Sequence, residues 1–410
     1  MTILILMLIT LILILIINYA VKKDLNMASN YLLITFITGN FFAILGNYYW
    51  KEVISPKLYF VVLFSIIFFI IGEHFLYNKS SSKKNIVINN KRLYIVATIS
   101  LISLLLNIYH TYQVLMANGY SLELGSVWRF LRIYKFHGED ISNYFVSILV
   151  FFSHAAGYIS IYYLLQNIKK KNIFLNLFII GIMLINFALS TDRSNFIYLL
   201  FYTIYLYLYN YKQLRIKSLI TVMTIGAFTM YIFIYFGNAR SFGQSNMYQS
   251  FLIYSGSSLV SFSKFLESPL SLNNYIGEET FAGIRILINR FIPTFYEGKY
   301  FLEFVYFTNS GSTNIYTGLR SFIKDFGHLG NLTLMFLMGI TFGLFSRYRK
   351  KPLLLIIYAY FISKISYLFL TPAITTSLFT ISQIFQIGCI ILIYKIFYRN
   401  ENRYLQGGLK

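Results

Sequence analysis

Charge is the scarcest feature of this chain. Asp, Glu, Lys and Arg together make up 12% of 410 residues, where soluble domains carry about a quarter, and this excludes a water-soluble globular fold. Cysteine is nearly absent: the single Cys389 lies in an apolar run, so neither a disulfide framework nor a cysteine-ligated metal site is available. No Gly-rich phosphate loop of the Walker type and no dinucleotide fingerprint occurs, so an ATP-driven transporter is not expected. The five histidines, His74, His110, His137, His154 and His328, include no His-Glu-x-x-His or other metal-ligand spacing, so a metalloprotease is equally unsupported and no metal or cofactor is expected. Acidic residues are few, 14 against 35 basic ones.

What the chain has instead is apolar length. Hydrophobic residues reach 57%, aromatic ones 20%, and the mean hydropathy is +0.62. They fall into runs near the roughly 20 residues that cross a bilayer as helix. Eleven spans are predicted, near 2–20, 31–49, 58–76, 93–109, 144–165, 173–190, 195–211, 219–236, 327–346, 352–370 and 375–397. The expected fold is all-α: a polytopic integral membrane protein forming one helical domain over 1–410, with 237–326 as a large extracytoplasmic loop. The first run has no basic residue before it and no small-residue cleavage site, so it reads as a retained span.

The loops alternate in charge. Those following the first, third, fifth, seventh and ninth spans, with the tail, hold 21 basic residues against three acidic ones, Asp24, Glu73 and Glu401; the opposite set holds 13 basic and 11 acidic. Because Lys and Arg near span ends resist translocation, the basic set is predicted to be cytoplasmic. The N-terminus is then outside and the tail inside. The basic surplus is explained by retention and contact with anionic lipid, and no nucleic-acid partner is expected.

Chemistry is therefore sought outside, where the two longest connections, 110–143 and 237–326, also lie. Residues 281–292, with paired arginines and a stop at Pro293, read as an interfacial or re-entrant helix. Residues 250–266 read as another, with Gly256 and four nearby serines on its polar side. The turn Ser190-Thr191-Asp192-Arg193-Ser194-Asn195 holds Asp192 and Arg193 at the bilayer boundary. There Arg193 either snorkels to lipid phosphate or grips a lipid-linked phosphate through two parallel hydrogen bonds. Arg240 follows the eighth span at the same rim. Arg285 and Arg290 are about 140° apart around a helix, so at most one faces a shared site. Arg129, Arg132 and Lys135 recur at helical spacing beside Trp128, a stripe for an anionic glycan or for headgroups. Asp325 is expected near the N-terminus of the ninth span, either capping it or acting as a base on a sugar hydroxyl, with Arg320 and Lys324 nearby to pair with it or to bind phosphate. Lys364 lies about 10 Å into its span, where a charge usually faces the protein interior and would suit a diphosphate.

The hydropathy profile, the Thr191-Asp192-Arg193-Ser194 turn, the large late loop, and Asn314-Ile315-Tyr316-Thr317 followed by Asp325-Phe326-Gly327-His328-Leu329-Gly330 together resemble the oligosaccharide repeat-unit polymerases of the O-antigen polymerase (Wzy) class. The resemblance covers most of the chain, chiefly through topology. In the outer loops the arginine-x10-glycine motif of some members is not met, since Arg320 precedes Gly330 with nine residues between. What the resemblance implies is a metal-independent membrane glycosyltransferase of the C type, multi-pass in the cytoplasmic (inner) membrane. It would move a growing glycan from undecaprenyl diphosphate to an incoming lipid-linked repeat on the outer face, in capsule or other cell-envelope polysaccharide biosynthesis. A flippase and a chain-length regulator would be its protein partners. On that reading Arg193, Arg240, Arg290 and Lys364 bind the diphosphate, Asp325 and Asp192 are the catalytic candidates, and Arg129, Arg132, Asn314 and Arg320 hold glycan. The same topology suits an O-antigen ligase, and a lipid-linked oligosaccharide flippase is the alternative from another class.

Overall fold

The computed structural model describes residues 1–78, 86–88, 90–119, 143–166, 172–190, 194–211, 247–268, 272–273, 275–289, 292, 302–309, 311–377 and 380–400. Asp192, Arg193, Arg240, Arg290, Arg129, Arg132 and the predicted span 219–236 lie outside the described residues. The helices are α1 (Thr2–Lys22), α2 (Ala28–Trp50), α3 (Pro56–Leu76), α4 (Asn90–Ala117), α5 (Tyr144–Gln166), α6 (Ile173–Leu189), α7 (Ser194–Tyr211), α8 (Met247–Glu267), α9 (Ala282–Asn289), α10 (Gly318–Ser346), α11 (Pro352–Ser366, continued by a 3-10 turn at Tyr367–Phe369), α12 (Ala373–Ser377) and α13 (Ile381–Phe397). Four short strands, β1 (Ile86–Ile88), β2 (Val305–Tyr306), β3 (Ser312–Thr313) and β4 (Tyr398–Asn400), pair antiparallel as β1 with β4 and β2 with β3.

Helix accounts for 82% of the structure, and seven helices among the described residues are long and apolar enough to cross a membrane. In hydrocarbon every backbone N–H and C=O must be satisfied within the segment, and helix does this for runs as rich in Ile and Leu as α1. Helices cover ten of the eleven predicted segments. The differences are local. The segment at 327–346 is the second part of α10, which starts at Gly318 and is interrupted at Gly327 (φ 69, ψ −176), a left-handed conformation that glycine adopts without steric cost. The segment at 375–397 holds two helices, the short α12, which Pro372 opens, and α13. Residues 250–266 do form a helix, α8, but its small residues point inward: Ser257, Ser258, Ser261 and Ser263 are fully buried, and a methyl group on Gly256 would strike the backbone of Phe42 and Ala43. The serine face is thus a close-packing face against α2 and not a wet one.

The packing divides into two compact units. Unit 1 comprises Met1–Ser80, Ser245–Arg349 and Phe361–Ile381; unit 2 comprises Ser81–Gln244, Lys350–Tyr360 and Ser382–Lys410. Unit 1 is organised by the parallel crossing of α3 and α10. Side chains added at Gly72, Gly339 and Gly343 would overlap the carbonyl oxygens of Phe336, Phe69 and Glu73, so the two backbones touch, as membrane helices with small interfacial residues do. Asn331 Nδ2 donates to Ser65 Oγ at 2.7 Å within the same seam. Asn40 Nδ2 donates to the Leu4 carbonyl at 2.8 Å, joining α1 to α2. In unit 2, Asn186 joins α6 to α4 and α5, accepting from Asn107 at 2.9 Å and donating to Ser153 Oγ at 3.1 Å. Tyr158 meets Tyr202 and Tyr360 edge-on in an aromatic core.

Unit 1 also sorts the loops as their charges do. The ends of α1, α3 and α10 that carry Lys22, Lys23, Arg347 and Arg349 come together: Asn78 N–H donates to Ser346 Oγ at 3.1 Å and Arg347 Nε to the Leu76 carbonyl at 2.9 Å. We refer to this as the basic end. At the other, the loop end, residues 52–57 meet the late loop: Ser55 N–H donates to Ser263 Oγ at 2.7 Å and Lys57 to the Leu266 carbonyl at 3.3 Å.

Candidate functional site

The densest group of ionisable side chains among the sequence candidates forms at the loop end, where the first part of α10 meets Asn273 and the turn at 275–280. Helical spacing puts Arg320 and Lys324 on one face of α10, and both reach Glu279: Arg320 Nη1 lies 2.7 Å from Oε2 and Lys324 Nζ 3.1 Å from Oε1. Glu279 and Arg320 are buried, whereas the Lys324 side chain keeps 20% of its surface exposed. The Arg320 guanidinium also stacks over Tyr316 (4.5 Å to the ring centroid) and Phe265 (5.2 Å), an arrangement suited to its planar, weakly hydrated cation. Burial raises the Tyr316 phenol above its ordinary range, and the neighbouring Arg320 charge partly offsets this.

Asp325 closes the same group. Its Oδ1 accepts from Asn273 Nδ2 at 2.6 Å, and its Oδ2 accepts the backbone N–H groups of Thr280 (2.6 Å) and Glu279 (3.0 Å). Asn273 N–H in turn donates to the Lys324 carbonyl at 3.0 Å. The carboxylate does not cap its own helix: it lies well inside α10 and binds the turn that faces it. Sequence alone placed Asp325 at a helix start because Gly327 resembles a boundary, but the boundary is a break within one helix. The donors that hold Asp325 belong to residues some 50 positions away, and no local spacing announces them.

A second ionic group lies alongside. Glu52 is 2.9 Å from Lys264 and accepts from Thr308 N–H (2.6 Å) and Thr308 Oγ1 (3.0 Å). Burial by itself would raise this carboxyl; the Lys264 ammonium and the Thr308 donors outweigh burial and hold it below the usual carboxylate range. Trp50 stacks on Phe307 at 4.8 Å, and Lys264 lies over the same ring. Glu52 and Glu279 were not singled out from sequence. Their only signal was membership of the outer set that holds most of the acidic residues.

The other candidates divide. Arg320 and Asp325 are brought together through the 279–280 turn. Arg285 faces inward from α9, 3.6 Å from Glu278 and over the Tyr275 ring at 5.2 Å. Asn314 is half-buried just after β3, and Lys364 is buried within α11. Arg193, Arg240, Arg290, Asp192, Arg129 and Arg132 are outside the described residues. Among the described residues no three His, Cys, Asp or Glu side chains converge in metal-holding geometry. Chemically, the loop end offers fixed cations set in carboxylates, two of them, Lys324 and Lys264, partly open to their surroundings, beside buried aromatic rings.

No family model, curated protein or solved structure matches the chain.

Proposed function

We propose that the protein polymerises lipid-linked oligosaccharide repeat units at the outer face of the cytoplasmic membrane, moving the growing glycan from undecaprenyl diphosphate to an incoming repeat. The observation that supports it most is the gathering of Arg320, Lys324, Glu279 and Asp325 at the end of unit 1 opposite its Lys- and Arg-rich loops. Both substrates keep their tails in lipid, so such a reaction belongs at a membrane rim. An acceptor hydroxyl oxygen attacks the anomeric carbon, the bond to the diphosphate oxygen breaks, the diphosphate leaves with its lipid, and the hydroxyl proton passes to a carboxylate. Fixed cations stabilise the departing charge. Arg193 and Arg240 are the first choices for that role, with Arg290 and Lys364 behind them; Lys324 joins them because its side chain is partly exposed. Asp192 and Asp325 are the candidate bases, and Asp325 would have to release one N–H donor before taking a proton. Arg129, Arg132 and Asn314 are assigned to the glycan, and Arg320 to fixing Glu279.

The break at Gly327 favours one other reading, a lipid-linked oligosaccharide flippase, because discontinuous helices build the substrate sites of many transporters. Sizing the surface glycan after single substitution of Arg193, Arg240 and Lys324 by Ala separates the readings. A polymerase defect leaves single capped repeats on the surface, a ligase defect leaves polymer on the carrier, and a flippase defect leaves repeats inside. Normal chain length in all three variants at normal protein level would overturn the proposal.

A further inference from the structure

The segment around α9 is inside out. Three of its polar and charged side chains are buried, with the residue that faces them: Thr280 is 0% exposed, Glu279 1%, Arg285 6% and the facing Asp325 6%, while Asn273, Glu278 and Asn289 are half-buried. Five of its large apolar side chains are turned outward, Ile276 at 88% exposed, Tyr275 at 62%, Leu272 at 55%, and Ile286 and Ile292 at 53% each, while Phe281, Ile284, Leu287 and Ile288 are half-buried. A helix against water shows the opposite arrangement, with charge out and apolar residues in. In α9 the one arginine packs toward Glu278 and Tyr275, while the neighbouring Ile286 is 53% exposed.

Height along α10 identifies what lies against this surface. Asn273 and the turn at 275–280 are bonded to Lys324 and Asp325, and the Phe281 ring packs on Phe326 at 6.1 Å. Within the next turn of α10 comes Leu329, 81% exposed, the first of the outward apolar residues that continue through Leu337 and Leu344 along the span. The outward apolar residues of 272–292 therefore continue the lipid-facing stripe of a membrane-crossing helix, at its boundary. A tyrosine there with a guanidinium over its ring has the chemistry of an interfacial anchor.

We infer that the described residues between 272 and 292 form a wall embedded in the interfacial layer of the bilayer, with Leu272, Ile276, Ile286 and Ile292 among acyl chains and the Glu279–Arg320–Lys324–Asp325 network behind them. The occupant of this surface is bulk lipid. The inference does not depend on the polymerase reading, since a transporter or a ligase would keep the same wall.

Spin labels placed in the full-length protein, reconstituted into phosphatidylglycerol–phosphatidylethanolamine vesicles, test it. In a C389S background the label goes on I276C, I286C and L272C singly, with L337C as the lipid reference and K351C as the aqueous reference. Collision with dissolved oxygen is compared with collision with a water-soluble nickel chelate. The oxygen-to-nickel ratio at 276 and 286 is expected to match that at 337 and to stand several-fold above that at 351. A ratio at 276 and 286 like that at 351 overturns the inference in favour of water. Low collision with both reagents, with dipolar broadening between labels, overturns it in favour of a second copy covering the face. The label at 272 carries the test if either other variant fails to reconstitute, and loss of glycan polymerisation plays no part in the readout.

Discussion

The two ends of unit 1 both bury charge, but they bury it for different ends of the chain's business. At the basic end, Arg349 is fully buried and donates to the Ser346 carbonyl at 3.1 Å, the Asn26 carbonyl at 2.9 Å and Tyr77 Oη at 2.8 Å, with Asp24 3.7 Å away. Tyr77 donates to Asp24 in turn, and burial, with the Arg349 charge opposing it, keeps that phenol protonated well above its ordinary range. Glu73, also fully buried, accepts the first N–H groups of α2 at Ala28 (2.7 Å) and Ser29 (2.8 Å), where a carboxylate meets the positive end of the helix dipole. The partners are mostly main-chain atoms at the ends of α1, α2, α3 and α10. At the loop end the cations meet carboxylates carried by a turn. One end locks helices to helices; the other holds a loop to a helix and leaves Lys324 partly exposed.

The contrast breaks outright if the seam between the two ends is opened. Gly339→Leu would drive a side chain into the Phe69 carbonyl of α3, and since both ends depend on the register of α3 and α10, no monodisperse protein should survive detergent extraction and size-exclusion chromatography. Gly388→Ala in α13, where a methyl group meets nothing, should leave the elution profile unchanged.

Within an intact seam, the basic end should be the more expensive to disturb. Arg349→Met leaves several buried acceptors and the Asp24 carboxylate without their cation, a change that costs roughly 3–5 kcal/mol for buried pairs. Thermal unfolding of the detergent-solubilised variant should show the largest fall among folded variants. A variant that melts with the wild type would show that the basic end is not a lock.

Asp325→Asn is the matching change at the loop end. The amide keeps one acceptor oxygen but presents an NH2 group to backbone N–H donors, so at least one bond is lost, at about 1–3 kcal/mol. Its melting temperature should fall less than that of Arg349→Met, and limited proteolysis should cut at 273–280 before any helix. Equal falls with no preferred cut would mean that the two ends are built alike.

This asymmetry also explains what sequence could and could not foretell. The spans were legible because apolar length and loop charge are properties of the chain itself. Lys22, Lys23, Arg347 and Arg349 marked one side, and they do come together. In sequence the break at Gly327 reads as the start of a span, because Lys324, Asp325, Gly327 and His328 interrupt the apolar pattern there, and the helical turns that precede it from Gly318 were missed. The serines of α8 were assigned to the wrong face since Ser reads as polar by composition, whereas in close helix packing its small volume decides. Arg320 and Asp325 were found through their neighbourhood in sequence. Their partners Glu279 and Thr280 were not, because long-range pairing leaves no periodic trace in one sequence. The candidates Arg193 and Arg240 rest on rim position and on family resemblance.

The smallest effect concerns pH at the loop end. The Glu52 carboxyl is held below its ordinary value of 4.5, with burial opposing and Lys264 and Thr308 prevailing. A depressed carboxyl contributes stability that is complete above the unfolded value and is lost as pH falls through the folded one. Glu52→Gln should therefore melt below the wild type at neutral pH, and the gap should narrow as the pH is lowered beneath about 4.5, until the two melt together. Lys264→Met removes the leading favourable partner and should shift the closing of that gap to higher pH. At the basic end Arg349 donates to main-chain carbonyls that do not titrate, so Arg349→Met should keep a deficit across the same range. A deficit for Glu52→Gln that persists unchanged at low pH would mean that shape and not charge holds the 305–313 hairpin against the end of α2.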